Sequence, residues 1–297
     1  MQDAPSLPED METWAAGYGV IQHNDTTRSR LTTLLDRAGD ATTRQRWLAL
    51  LAAADRLTCM GMWLVAHMTY VQRPRLNGQP LAADDFKQTP EGHTGGALNM
   101  VPAYVGYLLA NSLSGKTRSW LMGQGHCVAA IDAVNLLTGN LSPAHAQRYR
   151  LDEAGLARFV QDFYHYGVKA DGYPQSPLGS HVNAHTAGGI MEGGYLGFAE
   201  LQYAHMPLPE QALVASLSDG AFEEQRGSDW TPRWWRDRDC GDLLPVTIAN
   251  GRRIDQRTSL SQSGGSGWFA GHLTLNGFDP ITIDGRDPAA FAWALLE

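Results

Sequence analysis

Two short polar motifs close apolar runs in the second half of this 297-residue chain. Leu213 to Leu217 runs into Ser218-Asp219-Gly220, and Leu244 to Ala249 runs into Asn250-Gly251. Short apolar runs bounded by such turn residues predict strands, with each polar pair at a strand end. In an open parallel sheet, ligands settle beyond the carboxyl ends of the strands, where loops leave backbone amides and short side chains free. A carboxylate and an amide oxygen delivered to that edge suit a hard cation such as Mg2+ that stays bound to phosphate oxygens. The pair reads as a diphosphate anchor, and an Asp-Gly after a strand is also a common turn.

Three histidine-bearing stretches come earlier. Gln72 to Pro90, a loop rich in Pro, Gly and Asp, delivers Glu91-Gly92-His93-Thr94-Gly95-Gly96 ahead of an apolar segment, Ala97 to Leu113. Small residues let backbone approach a ligand while the imidazole serves as donor or general base. On these residues alone, a plain glycine-rich turn is the simpler reading. Met122-Gly123-Gln124-Gly125-His126 leads into an apolar helix, Cys127 to Leu137, that stops at Thr138-Gly139. A histidine there sits beside free helix-start amides, as an anion-site residue or as a partial cap. The third stretch, Ser180 to Gly194, holds His181 and His185 at i, i+4. Five glycines between positions 188 and 197 would each cost about 1 kcal/mol against alanine in a helix interior. They point to close packing or a closely approaching ligand. A zinc site on His126, His181 and His185 is a weaker reading, since no further ligand is apparent.

The elements that must position these residues follow from periodicity. A short helix is expected from Ser29 to Ala38. From Thr43 the pattern is helical, and Trp47, Leu50, Leu51, Ala54, Leu57, Met60, Trp63, Leu64 and Met68 cover most of the circumference, which predicts burial. Asp152 reads as the N-cap of a helix through Tyr164, with Leu156, Phe159, Val160 and Phe163 on one face. Phe222 to Asp242 is expected as helix and loop, Arg252 to Ser266 as a mobile loop over a site, and Ile281 to Asp284 as a short strand. Asp287-Pro288 caps a last helix, Ala289 to Leu296. This alternation predicts an α/β fold, a mostly parallel sheet with helices on both faces, over residues 45–297. Residues 1–44 read as an amino-terminal arm or extension, of which 1–30 are polar, irregular and expected at the surface.

Composition narrows the function. With 43% hydrophobic and 18% charged residues, the chain is an ordinary globular sequence. A net charge of −8 without a Lys/Arg cluster speaks against a nucleic-acid partner. Cys59, Cys127 and Cys240 are distant and odd in number, so a reduced, cytoplasmic location is expected. Met1 to Glu12 lacks signal-peptide character, and Arg46, Asp55, Arg56 and His67 interrupt the most apolar stretch, Trp47 to Val71, so no membrane span is expected.

Taken together and in order, these segments resemble the amino-terminal, diphosphate-binding part of the phosphoketolases, relatives of transketolase. The matching residues are Gly92-His93 with Ala97-Leu98-Asn99, Gly123 to His126, Ser180-His181-Val182, Thr186 to Gly197 around Glu192-Gly193-Gly194, Asp219-Gly220, and Leu244 to Asn250-Gly251. The resemblance implies thiamine diphosphate and Mg2+ as cofactors. By it, Asp219, the Asn250 side chain and the Arg252 carbonyl hold the metal, and Gly220 approaches the diphosphate. Gly125, Gly189, Ile190 and Glu192 belong to the cofactor-binding set, with the backbone near Ile190 meeting the aminopyrimidine. His93, His126 and His181 are the implied catalytic residues, handling protons at the sugar hydroxyls.

Departures are visible. Ser218 stands where thiamine diphosphate enzymes have the first Gly of Gly-Asp-Gly, and Thr94 where phosphoketolases have Trp, which bears on substrate preference. The family's second domain, which supplies the glutamate that activates the cofactor, has no counterpart in these residues. The expectation is therefore a separate pyrimidine-binding subunit, in a hetero-oligomer of α2β2 type, acting on a ketose or sugar phosphate. The two-carbon unit would pass to phosphate, as in phosphoketolases, or to an aldose, as in transketolases. A catalytically silent regulatory or scaffold subunit that keeps the fold is the alternative.

Overall fold

The computed structural model describes residues 8–122, 125–163, 170, 212–220, 242–253, 256–275 and 277–297. Two compact units divide the chain. One comprises Met1–Gly115, Cys127–His181 and Ile283–Glu297, and the other Lys116–His126 and Val182–Thr282.

The first unit is helical among its described residues. Its helices are α1 (Glu12–Ala15), α2 (Asp25–Leu35), α3 (Ala41–Tyr70), α4 (Thr94–Ser114), α5 (Val128–Thr138), α6 (Pro143–Arg148) and α7 (Glu153–Asp162). Asn24, Asp40, Ser142 and Asp152 each accept a backbone N–H of the first helical turn that follows, the arrangement that satisfies otherwise orphaned amides. Gly115 and Gly139, at φ 68° and 71°, end α4 and α5 in the left-handed conformation that glycine adopts without strain. Leu51, Leu64, Val65 and Met68 of α3 pack with Met100, Val101 and Ala110 of α4 and Val134 of α5 in the core.

A final helix, α10 (Pro288–Leu296), lies against α4, α2 and α3. Asp287 accepts the Ala289 N–H at 2.9 Å, and Pro288 occupies the first turn. Ala289, Ala290 and Ala292 are fully buried, so α10 comes close to α4 where α4 carries Gly106. A Cβ on Gly106 would run into Phe291 Cβ and come within 2.6 Å of the Pro288 carbonyl.

Among its described residues the second unit holds a parallel three-stranded sheet in the order β1 (Ser119–Met122), β2 (Ala212–Ser218), β3 (Asp242–Ile248). The fold is thus α/β with a parallel sheet, as expected. In the central strand Leu213, Val214, Ala215 and Ser216 are all buried, the continuous burial of a strand covered on both faces. β2 and β3 pair in register from Ala212↔Asp242 to Ser218↔Ile248, so the two strands end side by side. Beyond β3 come a small antiparallel pair, β4 (Arg252–Arg253) and β5 (Gln256–Arg257), then α8 (Ser259–Gln262) and α9 (Gly265–Leu275).

Several expectations are corrected. The early residues are no loose surface arm, since Met11, Trp14, Ala15, Ile21, Leu31 and Leu35 are buried. Isolated apolar residues on short elements leave no periodic trace. The helix expected at Ser29 to Ala38 is α2, shifted toward its Asn24 cap. Arg252 to Ser266 is not one loop but a hairpin, α8 and the start of α9. Ile281 to Asp284 forms no strand, its alternation finding no partner, and Ile281 is half exposed. By length and composition α3 could cross a membrane, contrary to the sequence reading, yet its mid-helix Asp55 is buried 3.1 Å from His23. Nor is α3 buried all round: Met60, Trp63 and Tyr70 remain exposed. The segment Phe222 to Asp242 lies outside the described residues, except that Asp242 opens β3.

Gly106→Ala should destabilise the chain by about 1–3 kcal/mol, because the blocking atoms belong to the α10 backbone and a Cβ and cannot swing away. Gly95→Ala, where nothing lies within 4 Å, should be neutral or mildly stabilising. Chemical denaturation of both variants checks the pair.

Candidate functional site

Asp219 follows β2 directly, and its side chain is 3% exposed. One carboxylate oxygen, Oδ2, accepts the Gly251 N–H at 2.8 Å and the Thr258 hydroxyl at 3.3 Å. The other, Oδ1, accepts the Gly220 N–H at 3.0 Å. The equal ending of β2 and β3 makes this possible, because the turn after β3 falls beside the residue after β2. Gly251, at φ 71°, reverses the chain and aims its N–H at the carboxylate. Its carbonyl in turn accepts the Thr258 N–H at 3.1 Å.

Asn250 is exposed, and its Oδ1 accepts the Arg252 N–H at 2.9 Å. The side chain thereby folds over its own turn. Thr258 is fully buried, and its hydroxyl also accepts the Ser261 N–H at 3.3 Å. The stretch from Asn250 to Ser261 is thus folded around one carboxylate. Asp219, Gly220, Asn250 and Arg252 lie at the carboxyl edge of the sheet, just after the ends of β2 and β3.

Electrostatically the site is one-sided. Burial pushes the Asp219 carboxyl above its usual pKa, while the Gly251 and Gly220 amides and the Thr258 hydroxyl pull the other way. Among the described residues no basic side chain pairs with it. A carboxylate kept from water without a counter-charge is a hard-oxygen donor set suited to a divalent cation. Oδ1, with a single hydrogen bond among the described residues, has a lone pair to offer a metal. The residues present fit the implied Mg2+.

The histidines are carried by other segments of the chain. His126 is half-buried in a short 3-10 turn, Gly125–Cys127, between β1 and α5, with Gly125 buried beside it in sequence. Burial pushes the thiol of Cys127, the next residue, up to about 12, so that group is inert at neutral pH. His93 belongs to the helical unit, where it is exposed and stands just ahead of α4 without capping it. The turn before it is held tightly. Gly92, at φ 134°, lies where a Cβ would be 2.9 Å from Thr69 Oγ1, and the Thr94 hydroxyl donates to Thr69 Oγ1 at 3.0 Å. Lys87 donates to the Met68 carbonyl at 2.7 Å, and burial lowers its pKa to about 8. His181, His185, Gly189, Ile190 and Glu192 lie outside the described residues.

Sequence reasoning missed two contributors. Thr258, a buried donor to Asp219, gave no signal beyond being one Thr in a polar stretch. A separate buried group of His23, Asp55 and Asp287 was equally hidden, except that Asp55 is one of the charged residues that interrupt the apolar helix.

Comparison with known proteins gives the site its context. The family model described as the XFP N-terminal domain matches residues 49–296. The chain is 28% identical over 232 residues to probable phosphoketolase 2 of Lactiplantibacillus plantarum, covering 76% of this chain and 27% of that protein. It is 29% identical over 212 residues to a probable phosphoketolase of Bifidobacterium animalis, covering 67% and 24%. For a probable phosphoketolase of Schizosaccharomyces pombe the identity is 28% over 203 residues, covering 66% and 23%. The chain therefore spans about a quarter of the length of these curated relatives. With a family match running from within α3 to the end of α10, this chain belongs to the XFP N-terminal domain family, the phosphoketolase amino-terminal domain.

Proposed function

We propose that this chain is the diphosphate-anchoring part of a thiamine diphosphate- and Mg2+-dependent, phosphoketolase-like enzyme of the cytoplasm. The reaction is cleavage of a carbon–carbon bond in a ketose or sugar phosphate and transfer of the two-carbon unit. The observation that supports this most is the buried, uncompensated Asp219 carboxylate beside Asn250 at the ends of two parallel strands, within a chain of this family.

Asp219 and the Asn250 side chain hold the metal, with the Arg252 carbonyl as third protein ligand. Asn250 must release the Arg252 N–H, or share its oxygen with it, to do so. Gly220 adds no side chain where the diphosphate approaches. When bound, thiamine diphosphate supplies the electron sink that carbon–carbon cleavage next to a carbonyl requires. The protein contributes orientation and proton transfer, and His93, His126 and His181 are assigned to protons at the sugar hydroxyls. Gly125, Gly189, Ile190 and Glu192 complete the cofactor contacts. Thr94, whose hydroxyl donates to Thr69, stands where phosphoketolases have Trp, and we assign to that difference a changed substrate preference. The glutamate that activates the aminopyrimidine comes from a pyrimidine-binding counterpart, which we assign to a separate subunit in an α2β2 assembly.

Calorimetric titration of thiamine diphosphate with Mg2+ into the assembled complex tests the anchor. Asp219→Ala should abolish binding, and Thr258→Val should weaken it several-fold by removing one hydrogen bond, worth about 1 kcal/mol, from the carboxylate. Undiminished binding by Asp219→Ala would refute the assignment. His93→Ala should retain cofactor and lose turnover by about a hundredfold or more. Retained cofactor with no activity in the unmodified complex would instead favour a silent scaffold subunit.

Acidification provides a second check. Because the Asp219 pKa is raised without metal, metal binding must displace a proton over a range that begins above that of an ordinary aspartate. Cofactor affinity is expected to fall as pH drops toward that raised pKa, with proton release on binding detectable in buffers of different ionisation enthalpy. Proton release confined to the ordinary aspartate range would contradict the site as described.

A further inference from the structure

The helical unit carries a second buried charged group that the cofactor reading does not use. His23, Asp55 and Asp287 are 3%, 2% and 0% exposed, and they come from three distant parts of the chain. The His23 ring lies between the carboxylates, Nδ1 3.0 Å from Asp287 Oδ2 and Nε2 3.1 Å from Asp55 Oδ2. Trp14 of α1 stacks on the imidazole, with ring centroids 4.1 Å apart. Asp287 is also tied to the start of α10 through its other oxygen, which accepts the Ala289 N–H.

A neutral imidazole has one N–H donor and one lone pair, so it can satisfy only one of two carboxylates and would turn a lone pair toward the other. An imidazolium donates to both. The donor atoms of the three residues lie within 4.8 Å of one another, which raises the question of a metal. The two ring nitrogens face different carboxylates, however, and a single cation cannot bind both edges of one ring. This geometry fits a held proton, not a held metal.

We propose that His23, Asp55 and Asp287 form a proton-operated latch that pins the segment from Met11 to Asn24 onto α3 and α10 and loosens it as pH rises above neutrality. The segment carries four of the buried apolar residues, Met11, Trp14, Ala15 and Ile21, and bends through Gly17 and Gly19 in positive φ. Among the described residues its polar attachments outside the latch are few: Cys59 Sγ donates to the Tyr18 carbonyl at 3.3 Å, the Thr32 hydroxyl to Met11 Sδ at 3.4 Å, the Arg56 guanidinium lies over the Tyr18 ring, and Arg44, near the start of α3, pairs at 2.6 Å with Asp10 just ahead of it. The titratable groups facing His23 are Asp55 from α3 and Asp287 from the start of α10, while α1 offers only the uncharged Trp14.

Burial alone would lower the His23 pKa, but hydrogen bonds to Asp287 and Asp55 outweigh it and raise the value to about 9 from 6.5. A base whose pKa is raised on folding stabilises the closed state fully below its unfolded pKa and loses that contribution as pH climbs through the folded one. The window is therefore pH 6.5 to about 9. Asp55, raised by burial, acts with the same sign, but over the acid range that starts at 3.8 and outside this window. Closing the latch takes up protons, and alkalinisation releases them together with the segment.

The test uses the full chain. Selective 15N-histidine NMR should show His23 protonated on both nitrogens at pH 7.5 and titrating near 9; a His23 titration near 6.5 would overturn the proposal. Chymotryptic cleavage after the buried Trp14, corrected with a peptide control, should accelerate tens-fold between pH 7 and 9.5, the ratio set by a proton bound with those two pKa values. In His23→Gln that acceleration should vanish. A wild-type cleavage rate independent of pH, or stoichiometric metal that is lost in His23→Gln, would overturn it as well. None of these readouts depends on cofactor binding.

Discussion

A carboxylate withdrawn from water must be answered by something, and among the described residues at the carboxyl edge of the sheet it is amides and one hydroxyl that answer Asp219. That requirement ties the site to the fold. The Gly251 N–H reaches the carboxylate because β2 and β3 run parallel and stop in register. A register slip of one residue would move the turn after β3 by a strand step of roughly 3.3 Å, too far for a hydrogen bond to survive. Hydrogen bonds offset part of the burial but leave the negative charge, and the charge is what a divalent cation uses.

The helical unit shows the opposite solution to the same problem. There two buried carboxylates are answered by a protonated histidine placed between them, and the group is closed to anything else. One buried acid thus remains available for a ligand, and the other two are consumed by structure. This difference separates a candidate site from a structural cluster more sharply than residue type does, since both contain aspartates almost without exposure.

β2, β3 and two of the cap residues were legible from sequence because each leaves a local mark. Leu213 to Leu217 and Leu244 to Ala249 are apolar runs closed by turn residues, and Asp152 and Asp287 sit immediately before helical periodicity, whereas the caps Asn24, Asp40 and Ser142 were not read. β1 was not legible: Ser119–Met122 is four residues long and pairs through a partner nearly a hundred positions away. The early segment failed for a similar reason, its buried Trp14 and Ile21 being single apolar residues held by long-range contacts. In the site, Asp219 and Asn250 stood out by position, whereas Thr258 is recognisable only once the chain after Gly251 is seen to fold back. Ile281 to Asp284 shows the converse, a strand-like alternation with no strand beside it.

The central claim is that these residues anchor a diphosphate through a metal, in an assembly that completes the site. Native mass spectrometry of the chain isolated gently from its own cells addresses it most directly. The account predicts a complex with a second polypeptide that retains the mass of thiamine diphosphate and Mg2+. A bare monomer or homodimer without cofactor would contradict it.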